Sequence, residues 1–259
     1  MRRNVFAAAT SVMMLVVGAP ASAEIKRVSY PQVKMELATL YKPDAAFENF
    51  RKQFSDAVAK KDATALFTLV APGFVWTQNN QLTSEYDPSR DAQHNFRVVF
   101  GFRLLGKDAD GDVENGPFWD ALAVFANDNT YSQAADSRNL VCSPTTASIV
   151  DEGVFEQARL RIETPEQGAD WYFALRSTPV TKAPDDVGAP VSTLGVEAVP
   201  VLRTHPESDG KPTHYEVLLP SGRVGWIPAS AVRPFQADRL CYALTAKGEW
   251  KIAIYDSAE

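Results

Sequence analysis

The sequence predicts an α+β protein: a mainly α-helical N-terminal domain over residues 24–163, followed by a small β-barrel over residues 169–259. Three observations carry this reading. In the first half apolar residues recur at three- and four-residue spacing, the period of a helix with one buried face. After residue 168 the texture changes to short apolar runs broken by Pro and Gly, the pattern of short strands and tight turns. Between the two, Glu163–Gly168 (ETPEQG) is polar and carries Pro165 and Gly168, as a domain boundary would.

Residues 1–23 read as a secretory leader and not as part of the fold. Arg2 and Arg3 form a basic start, Val5–Val17 an apolar core, and Ala21-Ser22-Ala23 a cleavage site ahead of Glu24. That core is shorter than the roughly 20 apolar residues a membrane span needs, and no cysteine stands at the cleavage point to take a lipid. No later stretch is apolar enough to cross a bilayer, so a periplasmic or secreted protein is expected. Cleavage removes two arginines and no acid, leaving 24 basic against 32 acidic residues and moving the net charge from −6 to −8. That balance argues against nucleic acid and anionic lipid as partners, since both need clustered Lys and Arg.

Glu24–Lys42 should be an extended lead-in. Asp44 is a candidate N-cap for a helix whose Phe47, Phe50, Phe54 and Val58 share a face. Asp62 caps a shorter helix through Leu66 and Leu69, which Pro72 stops, and Phe74-Val75-Trp76 suggests a short strand. Phe96–Leu105 is a further apolar segment. Asp108, Asp110 and Asp112 raise the question of calcium, which takes clustered carboxylate oxygens. The loop departs from an EF-hand, however, with Val113 in place of the sharp-turn glycine and Trp119 in place of the bidentate glutamate. A solvated turn is expected there, with calcium binding left open. Gly116-Pro117 opens the next helix, through Phe118, Trp119, Leu122 and Phe125. Asp151–Arg161 is amphipathic and short, as helix or strand.

In the second half, Trp171–Leu175, Pro179-Val180 and Leu194–Leu202 read as strands. Tyr215, Val217 and Leu219 alternate along another, Pro220-Ser221-Gly222 turns it, and Arg223–Ile227 returns until Pro228 removes a ladder donor. Ala229–Val232 suits a 3₁₀ turn. Leu240–Leu244 and Trp250–Tyr255 flank Lys247-Gly248-Glu249 as a closing hairpin.

The Gly225-Trp226 strand, followed by a turn with Ser230 and the apolar Val232, resembles the bacterial SH3 (SH3b) family. That resemblance implies an SH3b-like barrel that binds a cell-envelope ligand, a peptide or peptidoglycan fragment, or a protein partner. Tyr215 and Trp226 are the candidate aromatic contacts and Arg223 the candidate for a carboxylate. Each also suits a structural role: Trp226 and Tyr215 as core, Arg223 as a solvated turn residue. A second resemblance competes. FENFRKQFSDAVAKKDATALFTLVAP and the ending GEWKIAIYD are similar to the nuclear-transport-factor-2-like superfamily, which implies one α+β fold over 44–256 with a small-molecule pocket. The order of elements also resembles a group of proteobacterial envelope proteins from which no activity carries over.

Cys142 and Cys241 are the two cysteines of the chain. Parity and an oxidising compartment predict a disulfide. It would close a loop of about 100 residues and contribute about 4–5 kcal/mol if unstrained. The sharper alternative is a nucleophilic Cys142, which would need a histidine or a helix N-terminus beside it. His94, His205 and His214 are the histidines available. No Gly-x-Ser-x-Gly elbow, phosphate loop, dinucleotide fingerprint or His-Glu-x-x-His pair is present. The expectation is a non-enzymatic binding or scaffold protein with no cofactor. The alternatives are a cysteine-dependent cell-wall hydrolase using Cys142 and a nuclear-transport-factor-2-like domain.

Overall fold

The computed structural model describes residues 25–78, 81–105, 116–134, 137–163, 168–206 and 211–258. The leader expected over residues 1–23 and the Asp108–Asp110–Asp112 turn lie outside the described residues.

The N-terminal helices form where their caps and periodicity place them. Helices α1 (Ala45–Ala59) and α2 (Ala63–Thr68) start on Asp44 and Asp62, whose carboxylates accept from the N–H of Phe47 at 2.8 Å and of Ala65 at 2.9 Å. Helices α3 (Ala92–Leu105) and α4 (Gly116–Asn127) follow. Their apolar stripes do not close on one another into a helical domain. They cover one face of a six-stranded sheet, and this overturns the expected mainly helical N-terminal half. The strands are β2 (Val70–Gln78), β3 (Gln81–Leu82), β4 (Ser132–Ala134), β5 (Ser137–Ser143), β14 (Arg239–Leu244) and β15 (Trp250–Ser257). β14 and β15 are the hairpin expected at the end of the barrel. Instead β15 lies parallel to β2, and Phe47, Phe54, Phe96 and Leu122 of the helices pack on Trp76, Val141, Tyr242 and Ile252. The Phe47 ring meets those of Tyr242 and Trp250 edge-on at 5.7 and 4.9 Å.

A seven-stranded sheet organises the rest: β1 (Val33–Leu37), β6 (Ala147–Ile149), β7 (Asp170–Ala174), β10 (Glu197–His205), β11 (His214–Leu218), β12 (Val224–Pro228) and β13 (Val232–Pro234). β10 is its hub. One edge pairs with β7, while β1 and β11 share the other end to end. β8 (Thr178–Val180) and β9 (Ser192–Leu194) form a separate pair. None of the three sheets closes, so the SH3b-like barrel expected over residues 169–259 is not formed. The physical reason is a crossing of partners. β1, from the expected helical half, takes part of the β10 edge, and the terminal hairpin leaves to complete the other sheet. Helix α5 (Glu152–Ile162) belongs here too: its Ala158 and Ile162 share a core with Trp171, Phe173 and Val33. The elements on either side of the expected boundary, α5 and β7, therefore contribute to one core.

Local turn chemistry holds within this rearrangement. Gly222 turns the β11–β12 hairpin at φ +81°, and its N–H donates to the Leu219 carbonyl at 2.8 Å. The two bodies are fastened by Arg233, whose Nε donates to Asp128 at 2.9 Å. Asp128 also accepts from Thr130 N–H at 2.7 Å and from Ser143 Oγ at 3.2 Å. Both charged side chains are largely buried, at 14% and 13% exposure.

Candidate functional site

Where the two sheets meet, the helix-free face of the six-stranded sheet floors a cleft of about 860 Å3. Its floor follows from strand register. In β14 and β15, Arg239 faces Asp256, Leu240 faces Tyr255 and Cys241 faces Ile254, after which Tyr242 pairs with Ile252 and Ala243 with Lys251. Ala253 is therefore an extra residue, a β-bulge that resets the alternation. Ile252 and Tyr255 point to the helices as a result, while Ile254 and Asp256 point to the cleft. Side chains opposite one another across paired strands share a face, so the floor is laid in rows. One row runs Thr77, Asp256, Arg239; the next runs Ile254, Cys241, Cys142, Ser132.

Cys142 and Cys241 are directly opposed, with Cα atoms 4.0 Å apart, and form a disulfide. The disulfide expected from the sequence is thus present, and neither of the chain's two thiols is free. The nucleophile reading of Cys142 loses its thiolate.

The roof comes from the chain that crosses between the sheets. Beyond β1, Ala38 donates to the Thr146 carbonyl at 2.9 Å, and Gln133 of β4 donates to the Thr39 carbonyl at 2.9 Å. Glu36, Leu37, Ala38 and Thr39 on one side and Thr146, Ala147 and Ser148 on the other complete the lining. The lining is thus mainly hydroxyls and apolar side chains, from alanines to Leu37, Leu140 and Ile254, with Arg239, Asp256 and Glu36 as the charged residues. Arg239 Nη2 donates to Asp256 Oδ2, and Thr77 Oγ1 donates to Asp256 Oδ1 at 2.8 Å. Such a surface can orient a polar ligand.

The three ligand-contact residues singled out from the sequence, Tyr215, Arg223 and Trp226, lie elsewhere and do not converge. Tyr215 pairs with Ile227, and Glu216 with Trp226, which places Tyr215 and Trp226 on opposite faces of the sheet. Tyr215 leans on the Tyr172 ring at 4.9 Å beside a core that contains Val217 and Ile227. Burial, and then the neighbouring Tyr215, raise the Tyr172 phenol well above its ordinary range. Trp226 is half-buried on the other face, 6.0 Å from the Arg203 guanidinium and 6.0 Å from the His205 ring. Arg203 forms a two-pronged pair with the buried Glu216 at 2.8 and 2.9 Å. Arg223 is exposed, donating to the Val191 carbonyl at 3.1 Å. No single groove can use all three.

The chain matches no family model, no curated protein and no solved structure. Among the described residues no cluster of three or more His, Cys, Asp or Glu side chains could hold a metal ion. Among them, too, no helix is long and apolar enough to cross a membrane. The cleft residues went unseen in the sequence because they are single hydroxyls and one ion pair scattered from Glu36 to Asp256. The one local signal was the Cys142–Cys241 pair, which does lie in the floor.

Proposed function

We propose that this is a non-enzymatic binding protein of the bacterial envelope whose ligand, a peptide or peptidoglycan fragment, sits in the cleft between the two sheets. The observation that carries the reading is the cleft itself: about 860 Å3, lined by hydroxyls and apolar side chains, over a floor locked by a disulfide and an ion pair. Pockets of this size with few, fixed polar groups suit one small ligand or a short segment of a larger one. The leader pattern of residues 1–23 supports export, and a disulfide fits an oxidising compartment. The binding surface is moved from the Tyr215–Trp226 hairpin, whose faces diverge, to the cleft.

Equilibrium binding of muramidase-released peptidoglycan fragments tests the reading. Ser148 is exposed on the edge strand β6 and lines the cleft, so Ser148→Trp fills the opening without entering a core. Wild type should bind, Ser148→Trp should bind at least tenfold more weakly, and Trp226→Ala should bind as wild type does. Absence of binding by the wild type, or full binding by Ser148→Trp, would overturn it.

A further inference from the structure

We propose that the cleft selects a zwitterionic, peptide-like ligand, with its free carboxylate on Arg239 and its amine towards Glu36; this rests on the cleft being the binding site. A guanidinium carries five N–H donors in a planar fork suited to a carboxylate. Among the described residues Arg239 uses only Nη2, towards Asp256, leaving Nε and Nη1 without a protein partner. Its side chain is 26% exposed and lines the cleft. The fork is also held in place in advance. Asp256 grips it from β15, and Thr77 of β2 holds the other Asp256 oxygen at 2.8 Å. A donor fixed before binding loses little freedom when the ligand arrives.

Charge then restricts the ligand further. Arg239 is the one cation among the lining residues, against the two carboxylates Asp256 and Glu36. A ligand bearing only negative charge would meet a net negative wall, whereas one that adds an amine balances it. The hydroxyls of Thr39, Thr146 and Ser148 suit the amide groups of a peptide, and the small Ala38 and Ala147 leave room for short side chains.

The test uses muramidase-released muropeptides in three forms: unmodified, with carboxylates converted to amides, and with free amines acetylated. Titration calorimetry on the full-length mature protein reads the affinities. Amidation should weaken binding about tenfold or more, the scale of a lost charge-assisted hydrogen bond, and acetylation should weaken it several-fold. Arg239→Gln should bind the unmodified and amidated forms alike, while Arg239→Lys, which keeps a cation beside Asp256, should retain part of the preference. The amidation comparison needs no variant, so a misfolded Arg239→Gln does not remove the test. Equal wild-type affinity for the unmodified and amidated forms overturns this inference and leaves the cleft reading standing. No binding of any form overturns both.

Discussion

Arg51 offers the sharpest test of how the larger body is held together. It is 6% exposed on α1, inside the aromatic core. Its Nε donates to Tyr131 Oη at 2.9 Å and its Nη1 to Tyr242 Oη at 3.0 Å. Its Nη2 faces the carbonyls of Phe125 at 3.0 Å, Ala126 at 2.8 Å and Asp128 at 2.9 Å. The first two are carbonyls of the last turn of α4, which have no partner within the helix and carry its negative dipole end. Arg51→Met keeps the apolar stem and removes the guanidinium. Ala126 O retains Ser55 Oγ at 3.0 Å and Asp128 O retains Tyr131 Oη at 3.1 Å. The groups left short are thus the Phe125 carbonyl and the Tyr242 hydroxyl, which is inside a side chain of 0% exposure. Each stranded buried group costs about 1–3 kcal/mol, and hydrogen bonds to a charge are at the strong end of the range. A loss of about 3–4 kcal/mol is expected, within the span seen when one partner of a buried charged network is removed. Urea unfolding of the oxidised protein measures it. Adding Tyr242→Phe should recover about 1 kcal/mol, because the stranded hydroxyl goes with it. A loss below about 1 kcal/mol, or a double variant whose losses simply add, would refute the network as the cause.

Two further perturbations probe the second body and the aromatic core. A Cβ added at Gly225 would lie 2.4 Å from Val180 Cγ1 and 3.0 Å from the Thr181 carbonyl. Gly225→Ala should therefore cost about 1–3 kcal/mol in thermal or chemical unfolding, and an unchanged midpoint would show that β8 and β12 are not in contact. Burial raises the phenol pKa of Tyr30, Tyr172 and Tyr242 far above 10.0. The unfolded chain releases these protons above its ordinary tyrosine pKa while the native state keeps them, so stability is intact below about pH 10 and falls as pH rises further. Ultraviolet titration of tyrosinate should show these three ionising only together with unfolding. Their free titration in the native protein would contradict the packing.

Local chemistry was legible residue by residue. Asp44 and Asp62 each cap the helix that follows, accepting from the third residue on at 2.8 and 2.9 Å, whereas the Asp151 cap, at 3.1 Å, opens a segment whose length left helix or strand undecided. Gly222 turns its hairpin, and Leu240–Leu244 and Trp250–Tyr255 pair as a hairpin. Such features depend on residues a few positions apart, and the sequence states them directly. Pro72 marks the limit even here: α2 ends earlier, at Thr68, and Pro72 lies within β2.

What only the tertiary structure decided was which element partners which. The order of textures, helix-rich and then strand-rich, suggested two consecutive domains. The chain instead threads both bodies, with β1 joining β10 and β15 lying beside β2. Nothing local specifies those pairings, because any amphipathic helix can cover any apolar sheet face, and the choice follows from the best joint burial of both. The same reason hid the cleft. A floor row of Thr77, Asp256 and Arg239 exists only once distant strands take this register and Ala253 bulges. The cysteine pair was foreseeable from parity and compartment. That it would floor a cleft was not, since that depends on which face of the sheet the helices leave open.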